Sequence, residues 1–461
     1  MNNIPENVKE ILKQQGITVK AGEYKELNDN NQNLSNIIYC TLLEDDKGRV
    51  MVICPRTHII DLNFFNSQFN RKLTAIEGEK LSKLLENNQL ETLPAIPQLF
   101  DFPVIIDSQL FKSDEPLWLD SGKKERLISI TNDDYKKLSS HYTQSQFSVQ
   151  VAETAESPET WQQDIFEITQ AVNTHTQLAM RAQLEETVDL PPLPQTAQKI
   201  LKLSSDPNAD VNQLVKIVES DPSLAAQVIS WAASPYYGVR GEIKNVKDAI
   251  TRVLGFDFIM SIAVAMCLNK TIELPQDQPR GYTPFWQQAS YAAVTAEQMV
   301  RKMTGANKLD KGLAYLSGLM HNFGYLVMAY VFPDHFSNIC RYMEVNQHIN
   351  HIEIERYLIG VTRDQVCCWL MHYWDMPEEL VVAIRFQHSP NYNGEYSQYA
   401  LLLYMVQRLL KKQGIGDAPY EQIPDELYQR LNLAPEQVAE VISNVVENHD
   451  NVEMLGNSLA A

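Results

Sequence analysis

The sequence predicts a two-domain protein, an α+β domain followed by an all-α bundle. Three observations predict it. Residues 36–54, NIIYCTLLEDDKGRVMVIC, place two apolar, β-prone runs on either side of a turn rich in Asp and ending in Gly, which is a β-hairpin pattern. From residue 159 onward, apolar side chains recur at three- and four-residue steps in segment after segment, and no strand pattern competes. Between the two, residues 141–158 (HYTQSQFSVQVAETAESP) turn polar, with Ser, Thr and Gln dominating.

Taken in order, Asn7–Gln15 reads as a short helix stopped by Gly16. The hairpin comes next. Leu62–Phe69 and Gly78–Asn87 read as helices, and Val104–Ile106, Pro116–Leu119 and Arg126–Ile130 as strands separated by turn residues. The domain is set at residues 1–142 and the linker at 143–158. The linker ends in a helix start, with Ser157 as N-cap and Pro158 in the first turn.

The helical domain is set at 159–395, with a core at 190–390. Its predicted helices are 159–186, 194–204, 211–218, 222–233, 246–254, 256–270, 285–304, 309–330, 333–347, 351–359, 362–373 and 377–387. Asp210 and Asp221 stand as N-caps. Residues 396–461 add a C-terminal helical extension, with helices at 396–413 and 435–448. Its segment Ala400–Leu410 (ALLLYMVQRLL) is too apolar to stand bare, so it packs on the bundle or on a second copy of the chain. The final NSLAA is expected to fray.

At 461 residues the chain exceeds one ordinary core. The formal charge of −19 is uneven: residues 1–142 hold 17 basic and 21 acidic side chains, a balance of −4, leaving −15 for the rest. Such a surface repels phosphate backbones, so sequence-independent nucleic-acid binding is not expected. No run approaches the length of a membrane span, and the N-terminal residues lack an apolar leader, so a cytoplasmic protein is expected. The six cysteines show no CxxC spacing and read as reduced core thiols.

The segment with the most chemical interest is Ser317–Met328, SGLMHNFGYLVM, where His321 and Asn322 interrupt an apolar helix-like run. A His-Asp pair here would be half of a metal site that hydrolyses phosphate esters, because imidazole and carboxylate together hold a divalent ion that acidifies water. With Asn322 the anionic ligand is missing.

Several stretches now carry a resemblance. LPPLP at 190–194, IVESDPSLAAQVISWAAS at 217–234, Ala249–Gly255, Phe285-Trp286, GLMHNFG at 318–324 and HYWDMPEELVVAIRFQHSP at 372–390 together resemble the HDOD family, the HD-related output domain. The resemblance implies an HD-like helical fold and a non-catalytic regulatory module in bacterial signalling. Position by position, it puts Gln288 and Arg363 where catalytic relatives have imidazoles, Asn322 where they have aspartate, and Gln387-His388 where they have a His pair. It leaves His321 and His388 as the only imidazoles. Arginine does not ligate metals. The residual pocket is expected to comprise Trp286, Gln288, His321, Asn322, Arg363 and His388, with Arg363 available to a small anion or else paired with Asp364, Glu355 or another surface acid.

Residues 1–140 resemble the YbaK and prolyl-tRNA-synthetase-associated family of aminoacyl-tRNA deacylases. The resemblance rests on the hairpin, LPAIPQLFDFPVIID at 93–107 and LWLDSGKKERLISITNDDYKKL at 117–138. It implies a lysine before the first hairpin strand and a Gly-x-x-Pro turn. This chain has Ser35-Asn36 at the first position and retains only Pro97 at the second. Those three residues mark a vestigial site, and tRNA is a disfavoured partner.

The expectation is therefore a binding protein in bacterial signalling that recognises a signalling protein or a small anionic ligand, with no catalytic residue, cofactor or metal. Two enzyme alternatives stand beside it. One is an aminoacyl-tRNA deacylase regulated by the helical domain, and the other a metal-dependent phosphodiesterase using His321 and His388. A homodimer is compatible with the apolar C-terminal helix.

Overall fold

The structure is a computed structural model, and it describes residues 4–23, 36–151, 161–175, 191–204, 206, 208–234, 241–269, 271–305, 308–419 and 422–460. The chain divides into two compact units. The first comprises Met1–Ala155, Asp277–Gly281 and Ser337–Ile354; the second comprises Glu156–Gln276, Tyr282–Phe336 and Glu355–Ala461. Residues 277–281 and 337–354, assigned to the helical domain by their place in the chain, thus pack with the first unit.

The first unit is α+β. Its helices are α1 (Glu6–Gln14), α2 (Leu62–Phe69), α3 (Gly78–Asn87) and α4 (Asn132–Ser139). The predicted hairpin is present as β2 (Ile38–Asp45) and β3 (Gly48–Pro55), antiparallel in register from Ile38↔Pro55 to Asp45↔Gly48. With β5 (Thr74–Ala75), β6 (Val104–Asp107) and β9 (Thr143–Ser145) they form a five-stranded sheet in the order β5-β2-β3-β6-β9. A three-stranded sheet runs β1-β8-β7 (Lys20–Glu23, Arg126–Ile130, Leu117–Asp120), and β10 (Ser148–Gln150) pairs with β4 (His58–Ile60). Inward-facing Leu42, Met51, Ile53, Ile106, Leu119 and Ile128 share one buried core.

Two strands therefore lie in the stretch read as linker. The reason is a buried carboxylate: Asp107 accepts hydrogen bonds from the backbone N–H of Phe147 (3.1 Å) and Ser148 (2.8 Å) and fixes that polar stretch against the sheet. Composition could not reveal a partner forty residues away. The predicted caps Ser157 and Pro158 lie outside the described residues.

Residues 337–354 are tied into this unit through side chains. Asn346 Oδ1 accepts from the Ile60 backbone N–H at 2.7 Å, and its Nδ2 donates to the Ile60 carbonyl at 3.1 Å, so one amide pairs with the edge of β4 as a strand would. The Tyr342 hydroxyl donates to Asp61, the cap of α2, at 2.6 Å. His348 stacks on Tyr39 with ring centroids 3.5 Å apart.

The second unit is helical: α5 (Trp161–His175), α6 (Gln195–Ser204), α7 (Val211–Glu219), α8 (Pro222–Ala232), α9 (Phe256–Asn269), α10 (Phe285–Lys302), α11 (Lys311–Met320) and α12 (Phe323–Val331). Then follow α13 (Pro333–Val345) and α14 (His351–Ile359), parts of which belong to the first unit, and α15 (Arg363–Tyr373), α16 (Glu378–Arg385), α17 (Ser397–Lys412), α18 (Asp425–Arg430), α19 (Pro435–Glu447) and α20 (His449–Ala460). Asp210 and Asp221 cap α7 and α8 as expected.

Two expectations are corrected. The segment 309–330 is two helices, broken at His321-Asn322. Of the C-terminal NSLAA, Asn457–Ala460 continue α20, which buries Val452, Leu455 and Leu459, and Ala461 lies outside the described residues. Gly456 lets this helix approach α10 so closely that an added Cβ would lie 3.0 Å from the Trp286 carbonyl. Among the described residues no helix is long and apolar enough to cross a membrane.

Candidate functional site

The break at His321-Asn322 is held open by close helix packing on both sides. A Cβ on Gly318 would lie 2.6 Å from the Ala292 carbonyl, and one on Gly324 would lie 2.3 Å from the Arg363 carbonyl. Only hydrogen at these positions allows α11 to sit on α10 and α12 on α15. The polar pair is thereby pressed against the start of α15, where Thr362 caps the helix and Arg363 follows.

Arg363 is the centre of the site and is 1 % exposed. Its Nε donates to Glu355 Oε1, and its backbone N–H donates to Glu355 Oε2 at 2.8 Å. Its Nη1 donates to Asn322 Oδ1 at 2.7 Å and to Asp417 Oδ2 at 2.9 Å. Burial works against the charge of the guanidinium. Glu355 and Asp417 outweigh that and hold its pKa above the ordinary value, so the group is a permanent buried cation.

His321 is buried beside it. A carbonyl oxygen only accepts, so the 2.7 Å contact between Nδ1 and the Gly318 carbonyl places the proton on Nδ1 and leaves the lone pair on Nε2. Burial lowers the pKa of the imidazole, against the pull of Asp417 and of the Gly318 bond, and the ring is neutral. Asn322 Nδ2 reaches Asp417 at 3.3 Å and Gln288 Oε1 at 3.5 Å.

A second layer continues the network. Gln387 Nε2 donates to Asp364 Oδ1 (2.8 Å) and to the His321 carbonyl (2.8 Å), and its Oε1 accepts from Gln407 at 2.6 Å. His388 Nε2 lies 3.6 Å from Asp364 Oδ2. Burial, aided by Glu355, pushes the Asp364 carboxyl up to about 8. Beyond it, Arg385 grips Asp164 of α5 through two bonds of 2.7 Å, and Gln365 donates to Asp164 and Glu167.

The structure therefore brings Gln288, His321, Asn322 and Arg363 together and places His388 in the adjoining layer. Trp286 is buried but does not line the recess beside His321, which is walled by Gln288, Gln407, Leu410, Ile415, Gly416, Asp417 and Ala418. That recess has about 10 Å³ of room, space for about one water molecule. Asp417, Asp364, Glu355 and Asp164 were not among the site residues read from the sequence. Asp417 in particular lies beyond the matched motifs, in a Gly-x-Gly-Asp turn with no local signal.

The residues do not fit a divalent metal. One imidazole nitrogen faces the recess, the amide of Asn322 is taken by Arg363, and a guanidinium stands among the carboxylates that would be needed. Among the described residues no group of three or more His, Cys, Asp or Glu is arranged to hold an ion. The anion-binding expectation for Arg363 loses its basis too: the side chain is paired with Glu355, as one expectation had it, but in the interior and not on the surface.

In the first unit, Pro97 is buried in a 3-10 turn, and the Asn36 amide donates to Glu115. Ser35 lies outside the described residues. Trp374 is buried and donates to the Pro191 carbonyl at 2.8 Å.

Comparison with known proteins identifies two families. The HDOD domain matches residues 190–390, and the aminoacyl-tRNA editing domain matches residues 20–138. A crystal structure of a protein provisionally assigned to signal transduction, from Marinobacter aquaeolei VT8, is 34% identical, with all of both chains covered and a TM-score of 0.91. A provisionally assigned phosphohydrolase from Shewanella amazonensis SB2B is 20% identical over 61% of this chain and 98% of that one, with a TM-score of 0.48. An uncharacterized protein of Treponema pallidum (strain Nichols) is 21% identical over 266 residues, 58% of this chain; the chain spans half the length of that relative.

Proposed function

Because this chain belongs to the HDOD proteins that carry an aminoacyl-tRNA editing-type domain ahead of the helical one, we propose that it is a non-catalytic cytoplasmic regulator in bacterial signalling, acting through protein recognition. The observation that carries the reading is Arg363 locked between Glu355 and Asp417 at the position where the fold would do its chemistry. A guanidinium fixed there supplies neither a metal ligand nor a free anion receptor. The recess beside it is small for a nucleotide. The likeness to the Marinobacter protein supports a role in signalling.

The test has two arms. Purified protein with Mg²⁺ or Mn²⁺ is assayed on cyclic dinucleotides, on a phosphodiester chromogen and on mischarged aminoacyl-tRNA. No turnover above blank is expected; phosphodiester hydrolysis that disappears in His321→Ala, or any aminoacyl-tRNA hydrolysis by the purified protein, would overturn the proposal. In cells lacking the gene, the His321→Ala variant is expected to restore whatever phenotype the wild type restores. Failure of a folded His321→Ala variant to do so would restore the phosphodiesterase reading.

A further inference from the structure

Three oxygen-bearing side chains converge on the Arg363 guanidinium from separate parts of the chain. Glu355 comes from α14, Asn322 from the break between α11 and α12, and Asp417 from the turn after α17. Glu355 and Asn322 are buried, the Asp417 side chain is 6% exposed, and the Tyr325 ring lies 5.3 Å from Cζ. Two carboxylates and an amide carbonyl form the donor set that hard divalent cations select. Beside Asp417, the recess is also lined by His321, whose Nδ1 is committed to Gly318 and whose Nε2 keeps its lone pair.

We propose that the Arg363 side chain is a tethered cation filling an oxygen-lined cation site, and that the site takes a free Mg²⁺ or Mn²⁺ ion once that side chain is removed. The charge logic is direct. Two buried carboxylates without a cation repel one another and lack hydration, so the fold needs positive charge at this point whatever its source. Supplying it from the chain itself makes the attachment of the Asp417 turn independent of metal supply. The inference does not depend on the protein's role in signalling.

Thermal unfolding of full-length Arg363→Ala tests it, in MnCl2, in methylguanidinium chloride and in NaCl of equal ionic strength. The variant is expected to melt below wild type. Mn²⁺ and methylguanidinium should raise its Tm by about 5 °C while NaCl does not. Adding Glu355→Gln and Asp417→Asn should abolish the rise, and wild type should not respond. Should the variant fail to stay folded, urea-unfolded chain is diluted into the same three salts and the folded yield is read, with more expected in Mn²⁺ or methylguanidinium. Equal behaviour in NaCl and Mn²⁺, or a metal response that survives loss of both carboxylates, would overturn the proposal.

Discussion

Nη1 of Arg363 lies 2.9 Å from Oδ2 of Asp417, and neither side chain is more than 6% exposed. The pair joins the first turn of α15 to a turn beyond the matched HDOD residues. It makes the C-terminal extension part of the site's structure, because the carboxylate that balances the buried guanidinium comes from outside the motif-bearing segment.

Breaking one side of this arrangement should be expensive. Arg363→Met leaves Glu355 and Asp417 as carboxylates without the cation that both contact, and should cost roughly 3 kcal/mol or more, since an uncompensated buried charge is penalised heavily. The triple change Arg363→Met with Glu355→Leu and Asp417→Asn removes all three charges and should recover much of that loss. Urea denaturation midpoints at neutral pH distinguish the two.

Asp364 predicts a pH dependence. Its carboxyl is held at about 8 by burial, so the folded chain keeps a proton that the unfolded chain releases near the usual carboxylate value. Stability from this group is full below the unfolded pKa and declines as pH rises toward the folded one. Asp364→Asn still accepts from Gln387 and cannot ionise. The loss of stability between about pH 5 and about pH 8 should be smaller in this variant than in wild type, as read by chemical denaturation.

Gly324→Ala places a Cβ against the Arg363 carbonyl at 2.3 Å, where backbone must move. A cost of about 1–3 kcal/mol or more is expected. It should appear as a lower Tm together with faster amide exchange in the first turn of α15. An unchanged Tm would mean that α12 and α15 are less tightly packed than this geometry requires.

In the first unit, Asn346→Ala leaves the N–H and carbonyl of Ile60 without their amide partner in a buried position. The expected cost is about 1–3 kcal/mol. Hydrogen exchange at the Ile60 amide should accelerate selectively, while the amides of the β2-β3 hairpin remain protected.

Much of the architecture was legible in the chain because it rests on local pattern. The β2-β3 hairpin, the caps Asp210 and Asp221, and the succession of helices each follow from residues within a few positions of one another. The substitution of asparagine for aspartate at 322 was equally visible. Less visible was that 309–330 is two helices, since both halves are apolar and the break is made by packing of Gly318 and Gly324 against other helices.

By itself the sequence determined the two-domain order, the α+β and all-α classes, and the asparagine that stands next to His321 in place of an aspartate. Tertiary structure alone decided the state of Arg363. From the sequence Arg363 reads as anion-binding or as paired with a surface acid, and only the fold shows it buried among Glu355, Asn322 and Asp417, which lie 8, 41 and 54 residues away. The same is true of residues 143–150, which became strands because Asp107 satisfied their backbone from a distance. Local propensity is written in short stretches of chain, whereas the partner of a buried charge or an orphan N–H is chosen by the fold, because desolvated polar groups must be paired wherever in the sequence the partner lies.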